Sequence, residues 1–197
     1  MAKIIQWIRK NKISMKLMVE CFDKVKKDCL KFIKFQETKA DKFKNKERMI
    51  KSFLIPLCFW ISKKAEKKKP YFVGLAGGQG TGKTTISSLI KIILTKYFKL
   101  NVFRISIDDF YKTRKERTNL SKRVHPMLLT RSVPGTHEIN MMLNFFRKSK
   151  SKKFKSLKIP TFNKDVDDRC NNKKWYDLKN RPDVILFEGW VVDAKST

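Results

Sequence analysis

The chain has 197 residues, a length that suits one globular domain with an appended segment. Hydrophobic residues make up 41% of it, which is enough for a sizeable core and excludes wholesale disorder. Lysine and arginine number 47 against 18 acidic residues, so the net charge is +29 and attracts anions of any kind. The longest apolar run has nine residues, so we expect neither a membrane span nor a signal-peptide core.

The four cysteines are scattered along the chain and form no CxxC pair. This pattern is typical of reduced thiols in a cytoplasmic protein, not of a disulfide framework or a zinc site. The lysines are spread over the whole chain and do not form one basic stripe. We therefore expect a cytoplasmic protein with no membrane contact and no specific nucleic-acid partner, and the sequence leaves an oligomer open.

Residues 1–69 are predicted to form a helical N-terminal segment. Apolar residues recur at three- and four-residue spacing from Met15 to Phe35, as in an amphipathic helix. Packing of this helix on the domain that follows is favoured over membrane binding. The polar stretch Thr38–Lys46 is predicted to be a connection. A second helix is predicted over Glu47–Lys64, part of which Pro56 should start or kink.

Residues 70–197 are predicted to form an α/β domain with a parallel sheet flanked by helices. The apolar runs that predict buried strands are Tyr71–Ala76, Asn101–Ile107 and Asp183–Glu188. Helical spacing predicts helices over Ile86–Tyr97 and Glu138–Arg147, the second with Thr136 as its N-cap. Residues 111–133 are basic and predicted to be irregular. Strands that alternate with helices imply a parallel sheet.

The segment between the first strand and the first of these helices reads GGQGTGKT and matches the P-loop pattern. Backbone N–H groups of such a glycine-rich turn point at one anion, and the N-terminus of the following helix adds its positive end. Lys83 can reach the β- and γ-phosphates of ATP, and the Thr84 hydroxyl can bind Mg²⁺. The predicted nucleotide-binding residues are Gly77, Gly78, Gln79, Gly80, Thr81, Gly82, Lys83, Thr84 and Thr85.

The P-loop alone does not identify the reaction. A GTPase is not expected, because the NKDV string at Asn163–Val166 places the acid one position too early for a guanine-reading motif. The second predicted strand ends in SIDDFY, at the edge of the sheet where ligands bind. A carboxylate at that point can accept the proton of a substrate hydroxyl. Taken alone, the acid pair can equally be part of a turn.

A P-loop followed by SIDDFY resembles the phosphoribulokinase and uridine kinase superfamily. Three further strings, in this order, resemble its bacterial D-glycerate 3-kinase branch: RSVPGTHE at 131–138, IPTFNKDVDDR at 159–169 and ILFEGWVV at 185–192. The resemblance covers about residues 53–192. It implies a kinase that transfers the γ-phosphoryl group of ATP to D-glycerate with Mg²⁺. The family continues with further strands, so the resemblance also implies an incomplete sheet and a chain truncated at its C-terminus.

The resemblance implies roles for single residues. Asp108 matches the catalytic base, and Lys83 and Glu188 are the other expected catalytic residues. Thr84 and Glu188 are expected to hold Mg²⁺. The residues expected to bind the acceptor are Asp109, Tyr111, Arg131, His137, Lys164 and Arg169.

Three alternatives stay open. One is another kinase of the same superfamily that acts on uridine, pantothenate or a sugar phosphate. The second is a basic P-loop ATPase that binds nucleic acid, whose affinity for the polymer would fall steeply with salt. The third is an inactive fragment, either a non-catalytic remnant or a partner subunit. Outside the motifs, His125 is assigned to the surface, and Trp175 and Trp190 are assigned to packing.

Overall fold

The computed structural model describes residues 2–39, 42–190 and 192. It begins with helices α1 (Ala2–Lys10), α2 (Met15–Gln36), α3 (Lys46–Met49) and α4 (Ile55–Lys67). The predicted second helix is confirmed as α3 and α4, joined by a π-helical turn. Pro56 lies in the first turn of α4, directly after this π-helical turn. No helix in the described ranges is both long and apolar enough to cross a membrane.

The predicted parallel sheet is confirmed. It contains β1 (Tyr71–Ala76), β2 (Val102–Ser106) and β7 (Val184–Gly189) in the order β1-β7-β2, and helix α5 (Lys83–Lys96) follows β1. All six residues of the central strand β7 are buried. Because the three strands are parallel, the P-loop, the end of β2 and the end of β7 meet at the carboxyl end of the sheet.

The chain between β2 and β7 forms small elements over the end of the sheet. These are α6 (Arg114–Arg123), α7 (Ile139–Lys150), β3 (Leu157–Ile159), β4 (Phe162–Asn163), β5 (Asp168–Arg169) and β6 (Tyr176–Leu178). Strands β3 and β6 pair antiparallel, as do β4 and β5. The sequence patterns used above did not predict these short strands.

Two local predictions are wrong. Residues 111–133 are not irregular throughout, because a reciprocal cap between Thr113 and Glu116 starts α6 without apolar periodicity. Thr136 does not cap the next helix, because its hydroxyl donates to the Val133 carbonyl at 2.6 Å. Helix α7 begins at Ile139, later than predicted, with Glu138 in the cap position.

The core lies on both faces of the sheet, since alternate residues of β7 point to opposite sides. Val184 and Leu186 pack with α2, α4 and α5, and Ile185 and Phe187 pack on the other face with residues of α7. The predicted packing of the amphipathic helix α2 on the following domain is thus confirmed. Part of its predicted apolar face stays outside, since Met15 is 72% exposed.

Strand β1 lies at one edge of the three-stranded sheet and pairs only with β7 within the described residues. Its residues are half-buried or exposed, although the apolar run predicted a buried strand. Within the described ranges, no strand pairs with the other side of β1, and this open side accounts for the exposure of its residues. The division of the chain at residue 70 stays a prediction.

Candidate active site

The P-loop joins β1 to α5 and folds back on itself. Gly80 and Gly82 have φ angles of 76° and 77°, in the left-handed region where glycine carries no steric penalty. The Thr81 hydroxyl donates to the Gly78 carbonyl at 2.8 Å, and the Lys83 ammonium donates to the same oxygen. Backbone N–H groups and one lysine are thus gathered at the N-terminus of α5, an arrangement that binds anions.

Glu188 is buried near the end of β7 and faces α5. Its Oε1 accepts a hydrogen bond from the Thr84 hydroxyl at 3.3 Å, and its Oε2 accepts one from the Ser87 hydroxyl at 2.8 Å. A hydroxyl beside a carboxylate provides the hard oxygen donors that Mg²⁺ prefers. Within the described ranges, no group of three or more His, Cys, Asp or Glu side chains could hold a metal. The pair suits Mg²⁺, which takes few protein ligands and completes its shell with phosphates and water.

The two acids after β2 have different surroundings. Asp109 closes a capping box, because its carboxylate accepts the Ser106 N–H at 3.1 Å while the Ser106 hydroxyl accepts the Asp108 N–H at 3.2 Å. Burial raises the pKa of the Asp109 carboxyl group. The Asp108 Oδ2 lies 2.7 Å from the Lys164 ammonium. Both acids line the first of two cavities at this end of the sheet, but the Asp109 carboxylate is held by the turn, whereas Asp108 also lines the second cavity.

Two cavities meet at Asp108 and Lys164. The first has a volume of about 560 Å³, and its lining includes P-loop residues, Thr84, Glu188 and Trp190. The second has a volume of about 480 Å³, and its lining includes Arg114 and Arg131. The residues that line both are Gln79, Asp108, Ser132 and Lys164. Asp108 therefore lies on the boundary between the P-loop cavity and a cavity with cationic walls.

The predicted acceptor-binding residues occupy different positions around the second cavity. Arg131 lines it and places its Nε 2.9 Å from Asp167 Oδ1. The Tyr111 hydroxyl lies 3.0 Å from Ser132 Oγ, and the Tyr111 ring stacks on His137 at 4.2 Å between centroids. His137 lies behind this ring and lines neither cavity. Its burial lowers the pKa of the imidazole, which favours the neutral form.

Arg169 also lies outside both cavity linings. Its Nη2 is 3.1 Å from the Glu116 carboxylate, which itself caps α6. The positive charge of Arg169 is thus used to join β5 to the start of α6. The structure brings Lys83, Thr84, Asp108 and Glu188 together around the first cavity. Arg169 instead belongs to the ion pairs that connect the elements surrounding the second cavity.

Sequence analysis missed several residues that shape the site. Arg117 is fully buried and donates to the backbone carbonyls of Leu129 and Asp167, each at 2.6 Å. No periodicity marks it, because α6 is a polar helix fixed by its cap. The packing role predicted for Trp190 is wrong, since this residue is 41% exposed and lines the first cavity. Further unpredicted lining residues are Ser106, Arg114, Leu129, Thr130, Ser132, Phe162, Asp167 and Gly189.

The two remaining assignments can be compared with the structure directly. His125 is exposed, as predicted. Trp175 is half-buried, and its indole N–H donates to the Cys170 carbonyl at 2.8 Å. Neither residue lines the two cavities at the sheet edge.

The fold and the loop define a P-loop α/β protein. No protein-family model matches the chain. It is 31% identical over 134 residues to an uncharacterized kinase of Schizosaccharomyces pombe, covering 63% of this chain and 47% of that one. It is 27% identical over 161 residues to the chloroplastic D-glycerate 3-kinase of Arabidopsis thaliana, covering 73% and 35%. It is 29% identical over 123 residues to pantothenate kinase of Enterococcus faecalis, covering 61% and 37%.

Solved structures show the same fold. D-glycerate 3-kinase of Cryptococcus neoformans superposes with a TM-score of 0.60 at 23% identity, covering 71% of this chain and 53% of that one. A possible uridine kinase of Bacillus stearothermophilus gives a TM-score of 0.52 at 17% identity, covering 70% and 72%.

Within the P-loop class, these similarities support the phosphoribulokinase and uridine kinase superfamily. The chain spans less than half the length of the curated relatives described here. That this branch is bacterial stays a prediction.

Proposed function

We propose that this chain is an ATP-dependent kinase that transfers the γ-phosphoryl group to a hydroxyl of D-glycerate. The observation that carries the proposal is the position of Asp108, on the boundary between the P-loop cavity and the cavity with cationic walls. A residue in that position can contact a hydroxyl in one cavity while the γ-phosphate lies in the other. The linings of the two cavities support these proposed positions of the two reactants.

The first cavity would hold the triphosphate. The backbone N–H groups of the P-loop and the Lys83 ammonium would neutralise the phosphate oxygens. Thr84 and Glu188 would hold Mg²⁺, which, when bound, neutralises charge on the phosphates. Ser87 holds the Glu188 carboxylate by a hydrogen bond of 2.8 Å, so the acid meets its ligand already oriented.

Asp108 would act as the general base. It accepts the proton of the acceptor hydroxyl, whose oxygen forms a bond to the γ-phosphorus while the bond from that phosphorus to the β–γ bridging oxygen breaks. ADP leaves with the electron pair of the broken bond. Lys164 lies 2.7 Å from Asp108 and lines both cavities, so its charge stabilises negative charge that develops between them.

The second cavity favours an anionic acceptor. Arg114, Arg131 and Lys164 contribute three cations to its walls, against the two carboxylates of Asp108 and Asp167. A guanidinium binds a carboxylate with two parallel hydrogen bonds, which fixes the position of the bound acid. D-glycerate and pantothenate both carry a carboxylate and a hydroxyl, whereas uridine is neutral. The similarity to pantothenate kinase makes pantothenate the second candidate.

We place the protein in the cytoplasm, and the state of the cysteines supports this. All four are free thiols, and three of them are buried. Burial raises the pKa of Cys21 and of Cys29 to about 12, so neither thiol ionises readily. Such thiols act as core side chains in a reducing compartment.

A panel of acceptors tests the proposal. ADP release is measured with Mg-ATP alone and with D-glycerate, pantothenate or uridine, using wild type, Lys83→Ala and Lys96→Ala. Lys96 is on the same helix but is exposed and pairs with Asp28, so it is a matched control. We expect release that depends on D-glycerate, is lost in Lys83→Ala and is kept in Lys96→Ala.

The panel separates the alternatives. Release with pantothenate only would replace D-glycerate by the second candidate. Release without any acceptor that RNA or DNA stimulates would favour an ATPase. Full activity in Lys83→Ala, or no release with any acceptor, would contradict the kinase proposal.

A further inference from the structure

Arg104 lies beside the proposed metal-binding pair and connects to both of its members. It projects from β2, where it lies opposite Leu186 of β7. Its Nη2 is 3.4 Å from Glu188 Oε1, the same oxygen that faces the Thr84 hydroxyl. Its Nη1 donates to the Ser88 hydroxyl at 2.6 Å, and that hydroxyl donates to the Thr84 carbonyl at 2.7 Å.

The contacts of Arg104 fix its positively charged guanidinium beside Glu188. Three-quarters of its side chain is shielded, and Glu188 is shielded further, with 10% of its side chain exposed. The Arg104 Nε is buried and has no hydrogen-bond partner among the described residues. The charge also acts on a neighbouring cation, since burial and then Arg104 lower the pKa of Lys91. A buried N–H group without a partner is costly, which indicates a use for Arg104 beyond stabilising the fold.

Orientation and charge come from different residues here. Ser87 is neutral and fixes Oε2 at 2.8 Å, whereas Arg104 supplies a full positive charge near Oε1. With Arg104 present, the carboxylate that would attract a divalent cation is already neutralised. The phosphates of a nucleotide would bring the missing negative charge.

We propose that Arg104 is a built-in counter-ion of Glu188, and that it makes binding of the divalent cation depend on bound nucleotide. This inference rests on the proposed function, because it takes Thr84 and Glu188 as the metal-binding pair. Arg104 is a positioning residue in this account and contacts no reactant. Free Mg²⁺ would bind weakly, and the metal would enter together with the triphosphate.

Binding of Mn²⁺, followed by the paramagnetic resonance of the free ion, tests the inference without any turnover. Wild type, Arg104→Gln, Arg104→Lys and Lys91→Gln are compared without nucleotide and with a non-hydrolysable ATP analogue. We expect Arg104→Gln to bind free Mn²⁺ about tenfold more tightly, the effect of removing one nearby unit charge. Arg104→Lys keeps the charge and Lys91→Gln removes a charge that does not contact Glu188, so both should stay close to wild type. With the analogue bound, the difference between variants should shrink.

Equal or weaker binding of free Mn²⁺ by Arg104→Gln would overturn the inference while leaving the metal pair intact. Failure of the nucleotide-bound wild type to bind Mn²⁺ would overturn the metal pair and the inference together. Glu188→Gln should abolish the gain when combined with Arg104→Gln. Thermal unfolding checks that each variant is folded, and Arg104→Met, whose unbranched chain fills similar space, replaces the glutamine variant if that one unfolds.

Discussion

The two cavities that meet at Asp108 are built in different ways. The first cavity, where we propose that phosphate binds, is formed in part by the P-loop, which Gly80 and Gly82 fix between a strand and a helix. The second cavity, where we propose that the acceptor binds, is built from side chains on short elements between β2 and β7, which ion pairs such as Arg131 with Asp167 hold together. A P-loop suits a ligand that many proteins share, such as a nucleotide. In a cavity lined by side chains, a single substitution can change which ligand binds.

This difference determines where each cavity is vulnerable. The first cavity depends mainly on the geometry of the P-loop, so substitutions at residues that line only the second cavity should leave it intact. The acceptor cavity depends on buried charges that tie loops together, so a single substitution can loosen its frame.

The largest expected effect on the frame comes from Arg117, which is fully buried and joins α6 to the loops at Leu129 and Asp167. Arg117→Met removes the donor to these two backbone carbonyls and breaks an ion pair of 3.1 Å with the half-buried Asp167. We expect a loss of about 2–5 kcal/mol in the free energy of unfolding, because each buried carbonyl left without a donor costs about 1–3 kcal/mol. Urea unfolding measures it, with the exposed Arg123→Met on the same helix as the control. A loss no larger than that of the control would contradict the assigned role.

A smaller effect is expected from Arg131, on the wall of the acceptor cavity. Arg131→Met removes a donor that would bind the acceptor carboxylate. A hydrogen bond to a charged group corresponds to about a 10- to 100-fold change, so KM for D-glycerate should rise by that factor. KM for ATP should stay unchanged, because Arg131 does not line the first cavity. Steady-state kinetics with each substrate varied in turn gives the two KM values separately. An equal rise in KM for D-glycerate and KM for ATP would contradict binding of the two substrates in separate cavities.

The smallest effect concerns pH and His137. Its burial lowers the pKa of the imidazole in the folded protein, so the unfolded chain binds more protons below about pH 6.5. Stability should therefore be fully present above that pH and be lost as the pH falls. Between pH 7.5 and 5.5 the contribution is at most about 1.4 kcal/mol.

His137→Gln should remove this part of the pH dependence, and His125→Gln, at the exposed second histidine, should keep it. Urea unfolding at the two pH values provides the comparison. An unchanged pH dependence in His137→Gln would show that protonation of the buried imidazole does not contribute to the pH dependence of stability.

The phosphate side could be predicted from sequence because its motif fixes the backbone. A strand, a P-loop at regular spacing and a helix define Lys83, Thr84 and their neighbours with few alternatives. Strand β7 was also clear, because a run of apolar residues is what a central parallel strand requires. Pro56 marked the first turn of α4 for an equally local reason.

The acceptor side resisted prediction because its elements depend on contacts between distant residues. Helix α6 has no apolar face and is fixed by a cap, and Arg117 bonds to carbonyls 12 and 50 residues away in sequence. The strands β4 and β5 have two residues each, too short for any period. The resemblance to a kinase family indicated that Arg131 and Lys164 are site residues. Only the fold shows that Lys164 lies beside Asp108.

Transfer of labelled phosphate from γ-labelled ATP to D-glycerate, compared between wild type and Asp108→Asn, tests the central claim most directly. The account predicts labelled product from wild type and a rate about 10²- to 10⁴-fold lower in the variant. Nucleotide affinity, measured in parallel, should be unchanged. Undiminished transfer by Asp108→Asn, or a matching loss of nucleotide affinity, would contradict a base placed between the two cavities.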